Sequence, residues 1–270
     1  MFKKRLSILL FLILFSASLS FGSNKIEYEE SIVKCISDHI FINECSGKIQ
    51  KLTWWNKGES FPSFGIGHSI WYPAGVEEPY QESFPDLIDY YRLRGIKLPE
   101  WLEKLDPFYA PWQNRKVFFK KIKQKKLSEL RQFLNQTREI QIAFIILRLR
   151  NSIPLLTFAS SENNQDQMNH KISQLLATPR GIFTLADYIN FKGEGTVQKE
   201  RYQQQGWGAL QVIEAMDFPI TADAAPELFS KAANQILLRR IRNAPAGKNE
   251  KQYLKGWQNR LETYKTFTCH

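Results

Sequence analysis

The chain has 270 residues, 43% of them hydrophobic and 24% charged, which is typical of a globular protein and excludes a disordered or fibrous one. Its 37 lysine and arginine residues outnumber its 27 acidic residues, so the net charge is +10. Three cysteines exclude a disulfide-dense scaffold, and a mean hydropathy of −0.38 excludes a membrane protein with many spans.

The first 22 residues have the layout of a secretory signal peptide. Basic residues at 3–5 precede an apolar run at 8–15, and small residues are frequent from 16 to 22. The apolar run is shorter than the ~20 residues that a membrane-spanning helix needs. We predict cleavage after Ser20 or Gly22 and a periplasmic or secreted mature protein that is still basic.

The three cysteines allow one disulfide and one free thiol, because the predicted compartment is oxidising. Cys35 and Cys45 are close enough in sequence for a local bridge, whereas Cys269 would tie the C-terminal tail to the body, so three pairings stay open. No Cys-x-x-Cys pair or histidine cluster occurs, so we expect neither a metal nor another cofactor.

The N-terminal half predicts one helix followed by a β region. Isoleucine and valine recur at helical spacing within 24–42, which predicts the first helix. Residues 48–73 are rich in Trp, Thr, Phe and Ile and are interrupted by glycines, which predicts a small β hairpin region. Beyond it we expect helices with breaks at Pro99, Pro107 and Pro111.

Six lysines between residues 116 and 126 alternate with apolar residues, a pattern typical of an amphipathic helix with a solvated basic face. In an exported protein, the partners that suit this face are polyanionic envelope components or acidic membrane surfaces. We do not expect nucleic acid as a partner, because a signal peptide is present and no nucleic-acid motif occurs.

The C-terminal half is predicted to be helical. The segment 127–150 is apolar on every face at 142–147, so we predict one long helix that runs through the centre of the protein and ends before Pro154. A polar loop is predicted at 160–169, and further helices at 184–191, 208–216, 224–242 and 253–265. The predicted fold class is α+β, mostly α-helical, with a small N-terminal β hairpin region and a long central helix.

The stretch from 43 to 68 contains the residues best suited to chemistry. Glu44 ends the first predicted helix, and Glu59 lies in a turn. Cleavage of a glycosidic bond needs one protonated carboxyl group, which protonates the leaving oxygen, and one ionised carboxylate, which activates water or stabilises positive charge. Trp54 and Trp55 are adjacent, so in an extended segment one is expected in the core and the other facing a cleft.

This stretch resembles the phage-type lysozymes of the lysozyme-like superfamily. Those enzymes carry a glutamate near the end of the first helix, then a glycine, then a β hairpin ending in Thr-x-Gly-x-Gly-His. Here Glu44 and Gly47 are followed by Ser-Phe-Gly-Ile-Gly-His at 63–68. Segments 186–195 and 253–260 resemble the helix and glycine turn that closes the cleft and the start of the C-terminal helix.

The resemblance implies a two-lobed fold in one domain, 23–270, with a small lobe at about 43–75 and a helical lobe at about 86–265. It implies Glu44 as the catalytic acid, with a pKa raised by partial burial. It further implies a monomeric, exported muramidase that cleaves the β-1,4 glycan backbone of peptidoglycan. Chitosan-like substrates, which related folds cleave, are a further possibility for the sugar.

The second carboxylate departs from the family pattern, since Thr53 and Lys57 stand where the spacing calls for an aspartate. Glu59 is the nearest carboxylate, and we predict that it acts with the Ser63 hydroxyl to orient water or stabilise charge. Glu194 is an alternative second carboxylate.

Two alternative functions follow if the second carboxylate does not face the cleft. A lytic transglycosylase would use Glu44 alone, with the substrate supplying the attacking hydroxyl. A non-catalytic envelope saccharide-binding protein would keep a degenerate form of the same fold.

Substrate binding is predicted at two groups of polar and aromatic residues, because such side chains suit the faces and hydroxyl edges of sugars. His68 is also predicted to bond a carboxylate and so tie a strand to a helix. The predicted substrate-binding residues are Trp54, Trp55, Asn56, His68, Asn190, Lys192, Glu194, Tyr202, Gln205 and Trp207.

Overall fold

A computed structural model describes residues 30–77, 82–159, 165–198 and 201–269. The predicted signal peptide lies outside these residues. The described chain is mostly helical, at 62%, with a few small antiparallel strands, so the predicted α+β class is confirmed.

Eleven helices and five strands are given by their bounds in chain order. The helices are α1 (Glu30–Cys45), α2 (Phe84–Leu93), α3 (Glu100–Glu103), α4 (Arg115–Lys120), α5 (Lys125–Gln136), α6 (Arg138–Ala159), α7 (Gln165–Leu176), α8 (Pro179–Lys192), α9 (Ala209–Glu214), α10 (Ala225–Asn243) and α11 (Leu254–Thr266). The strands are β1 (Thr53–Trp54), β2 (Ser63–Phe64), β3 (Ser69–Ile70), β4 (Arg201–Tyr202) and β5 (Gln205–Gly206).

The predicted β region at 48–73 is confirmed as a three-stranded antiparallel sheet in the order β1-β2-β3. The β2–β3 turn is docked on α6 by Gln141, whose Oε1 accepts a hydrogen bond from the backbone N–H of Ile66 at 2.9 Å. Gly65 has a φ of 73°, and a Cβ there would lie 2.2 Å from Gln141 Oε1. The glycine is therefore required both by the backbone conformation and by the close approach of the helix.

The single helix predicted at 127–150 is wrong, because the chain forms two helices that break at Thr137. The Thr137 hydroxyl donates to the Phe133 carbonyl at 2.8 Å and lies 2.7 Å from the Tyr91 hydroxyl, so this residue ends α5 through local and tertiary contacts. The predicted end before Pro154 is also wrong, because Pro154 lies inside α6. Burial of Leu156 one turn further on favours continuation of the helix.

Among the described helices, only α6 is long and apolar enough to cross a membrane by length and composition. It packs against α1, α2, α7 and α8, as the core helix of a globular protein does. Its C-terminal end leaves Leu155 and Phe158 exposed.

Two further predictions need correction. The polar loop predicted at 160–169 is wrong from Gln165 onward, because α7 buries Met168, Ile172 and Leu175 along one side; residues 160–164 lie outside the described part of the chain. The six lysines at 116–126 are all exposed as expected, but they span α4, a turn and the start of α5 rather than one helix.

The disulfide pairs Cys35 in α1 with Cys269 after α11, and Cys45 is the buried free thiol. Of the three pairings that the sequence leaves open, the structure therefore has the one that ties the C-terminal tail to the first helix. Phe267 in that tail stacks on Phe183 of α8, with ring centroids 4.5 Å apart.

Candidate active site

A cavity of about 780 Å³ lies between the three-stranded sheet and the C-terminal helices. The sheet side supplies Asn56, Gly58, Glu59, Phe61, Ser63, His68 and Ile70. The opposite side supplies Asn190, Phe191, Lys192, Gly193, Val197, Tyr202, Trp207, Arg240, Lys248 and Glu250. Seven of the predicted site residues therefore meet here: Asn56, Glu59, Ser63, His68, Asn190, Lys192 and Tyr202, joined by Trp207 as an eighth.

Glu44 lies at the end of α1, just behind the cavity wall, with its side chain 7% exposed. Its Oε1 accepts hydrogen bonds from Asn190 Nδ2 at 2.8 Å and from Arg260 Nη2. Its Oε2 lies 3.4 Å from Nδ1 of His68. The predicted contact of His68 with a carboxylate is thus present, and it joins the β2–β3 turn to α1.

Burial alone would raise the pKa of Glu44, but the positive charge of Arg260 and the neighbouring His68, with hydrogen bonds from Arg260 and Asn190, lower it below the ordinary value. The carboxyl group is therefore ionised at neutral pH. The expected raised pKa of Glu44 is wrong, because Arg260 outweighs the effect of burial.

Arg260 is shared between two carboxylates. Its Nε donates to Asp187 Oδ2 at 2.7 Å and its Nη2 donates to Asp187 Oδ1 at 2.9 Å, while Tyr264 donates to the same carboxylate at 2.6 Å. Burial alone would lower the pKa of Arg260, but Asp187 and Glu44 raise it well above the ordinary value. Two carboxylates and one guanidinium leave the Glu44–Arg260–Asp187 trio with one net negative charge.

Glu59 lines the cavity in a different electrostatic environment. Its carboxylate accepts hydrogen bonds from Asn56 Nδ2, which lies 3.2 Å from each oxygen. Partial burial raises the pKa of Glu59, and this effect exceeds the opposing influence of Asn56 and His68. Glu59 therefore holds a proton more readily than an exposed glutamate does, and Glu44 holds one less readily.

Four predicted substrate-binding residues do not line the cavity within the described part of the chain. Trp55 is buried in the core and its Nε1 donates to the backbone carbonyl of Glu59 at 2.8 Å, while Trp54 packs edge-on against Phe119. Gln205 instead accepts a hydrogen bond from Asn243 at 2.9 Å. The fourth is Glu194, whose backbone carbonyl accepts from Leu210 N at 2.9 Å.

The wall opposite the sheet is built as a column in which cations alternate with aromatic rings. In spatial order its members are Trp207, Arg240, Trp257, Lys192, Phe191 and Arg260. The Arg240 Cζ lies 4.0 Å from the Trp207 ring centroid, and the Arg260 Cζ lies 4.3 Å from that of Phe191. We call this set the aromatic–cation column; it ends at the guanidinium that binds Glu44.

Glu250 neutralises one end of the aromatic–cation column. Both of its carboxylate oxygens accept hydrogen bonds from Arg240, at 2.7 and 2.8 Å, and Tyr202 donates to Oε1 at 2.8 Å. Burial alone would raise the pKa of Glu250, but Arg240 and Tyr202 lower it. Arg240 and Glu250 escaped the sequence analysis because they lie far along the chain from Tyr202 and belong to no motif.

The turn that carries Glu194 is fixed by close contact between two glycines. A Cβ on Gly208 would lie 2.2 Å from the backbone nitrogen of Gly195. Gln211 adds two hydrogen bonds of 3.0 Å, one to each glycine backbone.

Replacing Gly208 with alanine is expected to lower the free energy of unfolding by about 1–3 kcal/mol, because backbone atoms cannot move aside as a side chain can. Gly256→Ala in α11 is the matched control, since a Cβ there meets no heavy atom of the described residues within 4 Å. It should stabilise α11 by up to about 1 kcal/mol, as alanine favours the helix. Urea unfolding measures both, and midpoints that shift in the same direction would contradict the close contact.

No family model, curated protein or solved structure matches this chain. Among the described residues, no group of three or more His, Cys, Asp or Glu side chains is arranged to hold a metal ion. The site is therefore interpreted from its own geometry and charges.

Proposed function

We propose that the protein is an exported glycosidase that cleaves the β-1,4-linked backbone of peptidoglycan bound in the cavity. The observation that carries the proposal is the pair Glu59 and Glu44, whose surroundings bias them toward opposite protonation states. Pairs of this kind assign the acid and the base in enzymes that run both chemistries near neutral pH. The aromatic and amide side chains of the cavity suit sugar faces and hydroxyl edges.

In this mechanism Glu59 is the proton donor, and the roles are the reverse of those that the lysozyme resemblance implies. Its proton passes to the glycosidic oxygen as the bond from that oxygen to the anomeric carbon breaks. The net negative charge of the Glu44–Arg260–Asp187 trio stabilises the positive charge that develops on the sugar ring.

The attacking water is activated on the sheet side. With Nδ1–H of His68 donating to Glu44, the lone pair remains on Nε2, and this ring lines the cavity beside Ser63. The Ser63 hydroxyl orients the water, His68 takes its proton, and the water oxygen bonds to the anomeric carbon. Export is supported by the Cys35–Cys269 disulfide, since such bonds persist in oxidising compartments.

The test is digestion of purified peptidoglycan by the wild type and by Glu59→Gln. The variant is expected to lose ~10²–10⁴-fold in kcat, the usual size of a general-acid contribution. Wild-type activity should fall as pH rises through the raised pKa of Glu59, because the donor then loses its proton. Glu227→Gln, an exposed glutamate of α10, is the matched control and should digest normally.

Digestion in ¹⁸O-labelled water identifies the reaction and the sugar. Hydrolysis places the label at the new reducing end, whereas a lytic transglycosylase releases unlabelled anhydro products. Parallel digests of chitin and chitosan oligosaccharides distinguish the other sugars. The proposal fails if the wild type releases no product from peptidoglycan, or if Glu59→Gln digests as fast as the wild type.

A second candidate function is saccharide binding without cleavage. The observation that favours it is the near-complete burial of Glu44 in an ion pair with Arg260, which a purely structural glutamate would also show. Wild-type protein that sediments with peptidoglycan but releases no fragments would favour this candidate.

A further inference from the structure

Lys192, the last residue of α8, lines the cavity with its ammonium group between two aromatic rings. Its Nζ lies 4.0 Å from the ring centroids of both Phe191 and Trp257. Within the described residues no hydrogen bond or ion pair reaches this nitrogen. An ammonium group has three N–H donors, and burying donors without acceptors is costly.

The other two cations of the aromatic–cation column each have carboxylate partners. Arg240 is paired with Glu250, and Arg260 with Glu44 and Asp187. Burial, reinforced by Arg240, lowers the pKa of Lys192 to about 7 even though Glu250 and Glu44 oppose the shift. The folded protein thus keeps this ammonium under strain at neutral pH, and an acceptor entering the cavity would relieve it.

We propose that Lys192 is the binding site for an anionic group, a carboxylate or a phosphate, carried by the glycan in the cavity. Lys248 lines the same cavity and donates to the Tyr202 hydroxyl at 3.3 Å, so a second cation faces the same ligand. The inference rests on the proposed function only in taking a glycan as the ligand.

The chemistry of peptidoglycan offers this group in more than one place. The lactyl carboxylate of muramic acid is ionised where the stem peptide has been removed, and stem peptides carry carboxylates of their own. Phosphate occurs in polymers attached to the glycan. All present an oxyanion that accepts hydrogen bonds from an ammonium, which neutral chitin oligosaccharides lack.

The test is calorimetric binding at pH 6 of a peptide-free muramyl tetrasaccharide and of its lactyl methyl ester, which differ only in charge. The wild type is expected to bind the acid about tenfold or more tightly than the ester, the effect of one charge-assisted hydrogen bond. Lys192→Met should abolish this preference and Lys192→Arg should retain it. Lys97→Met, at an exposed lysine that does not line the cavity, is the matched control and should behave as the wild type.

Two further ligands identify the source of the anion, since muropeptides with free or amidated carboxylates report on the stem peptide and inorganic phosphate reports on phosphate. Equal affinity of the wild type for every charged ligand and its neutral counterpart overturns the inference, as does a preference that survives in a folded Lys192→Met. Thermal unfolding of each variant verifies folding. Because binding is measured apart from cleavage, charge-dependent binding without products would sink only the proposed function, and cleavage without charge preference only this inference.

Discussion

Replacing Arg260 with methionine is expected to lower the free energy of unfolding by about 3–5 kcal/mol, the usual cost of breaking a buried ion pair from one side. The guanidinium is 10% exposed and bonds both Glu44 and Asp187, of which Asp187 is fully buried. Methionine keeps much of the side-chain volume, so the loss comes from two carboxylates left without a cation rather than from a cavity.

Arg92→Met is the matched control, because Arg92 pairs with Asp89 and Glu103 on the surface. Exposed pairs contribute about 0–1 kcal/mol, so this variant should unfold close to the wild type in urea. If Arg260→Met were no less stable than Arg92→Met, the trio would not hold the site together.

The difference between wild type and Arg260→Met should also depend on pH. Arg260 helps to depress the pKa of Glu44, so the stability that this carboxylate contributes is present above its ordinary value of 4.5. It is lost as pH falls through the lower pKa of the folded state. The difference in unfolding free energy should therefore narrow in acid.

Removing the disulfide is expected to lower the free energy of unfolding by about 2–5 kcal/mol. Cys35 and Cys269 are separated by 234 residues, so the bridge restricts almost the whole unfolded chain. Cys35→Ser, Cys269→Ser and the double variant should be equally destabilised, since each removes the same bond. The wild type in reducing buffer should match them. A double variant much less stable than either single one would mean that the side chains matter more than the bond.

The fold class followed from the sequence because it depends on local periodicity. The break at Thr137 did not, because it depends on a hydroxyl that meets Tyr91 of another helix. Pro154 misled for a related reason: proline weakens a helix locally, but Leu156 beyond it is buried. Such tertiary contacts outweigh local preference and leave no mark in the spacing of apolar residues.

The candidate site divides in the same way. Glu44, His68 and Asn190 could be singled out because they belong to short motifs, and the structure brings them together. The sign of the Glu44 pKa shift could not, since it depends on Arg260, 216 residues away. A buried aspartate in the apolar segment 181–189 was the one available signal that a cation would be needed nearby.

The ion pair between Glu44 and Arg260 has a consequence for the order in which the protein is made. During synthesis α1 emerges early and α11 near the end, so Glu44 has to wait for its guanidinium until almost the whole chain exists. The same two helices are then fastened by the disulfide, which requires an oxidising environment. A chain still in the cytoplasm, or one that lacks α11, would therefore hold Glu44 without its cation.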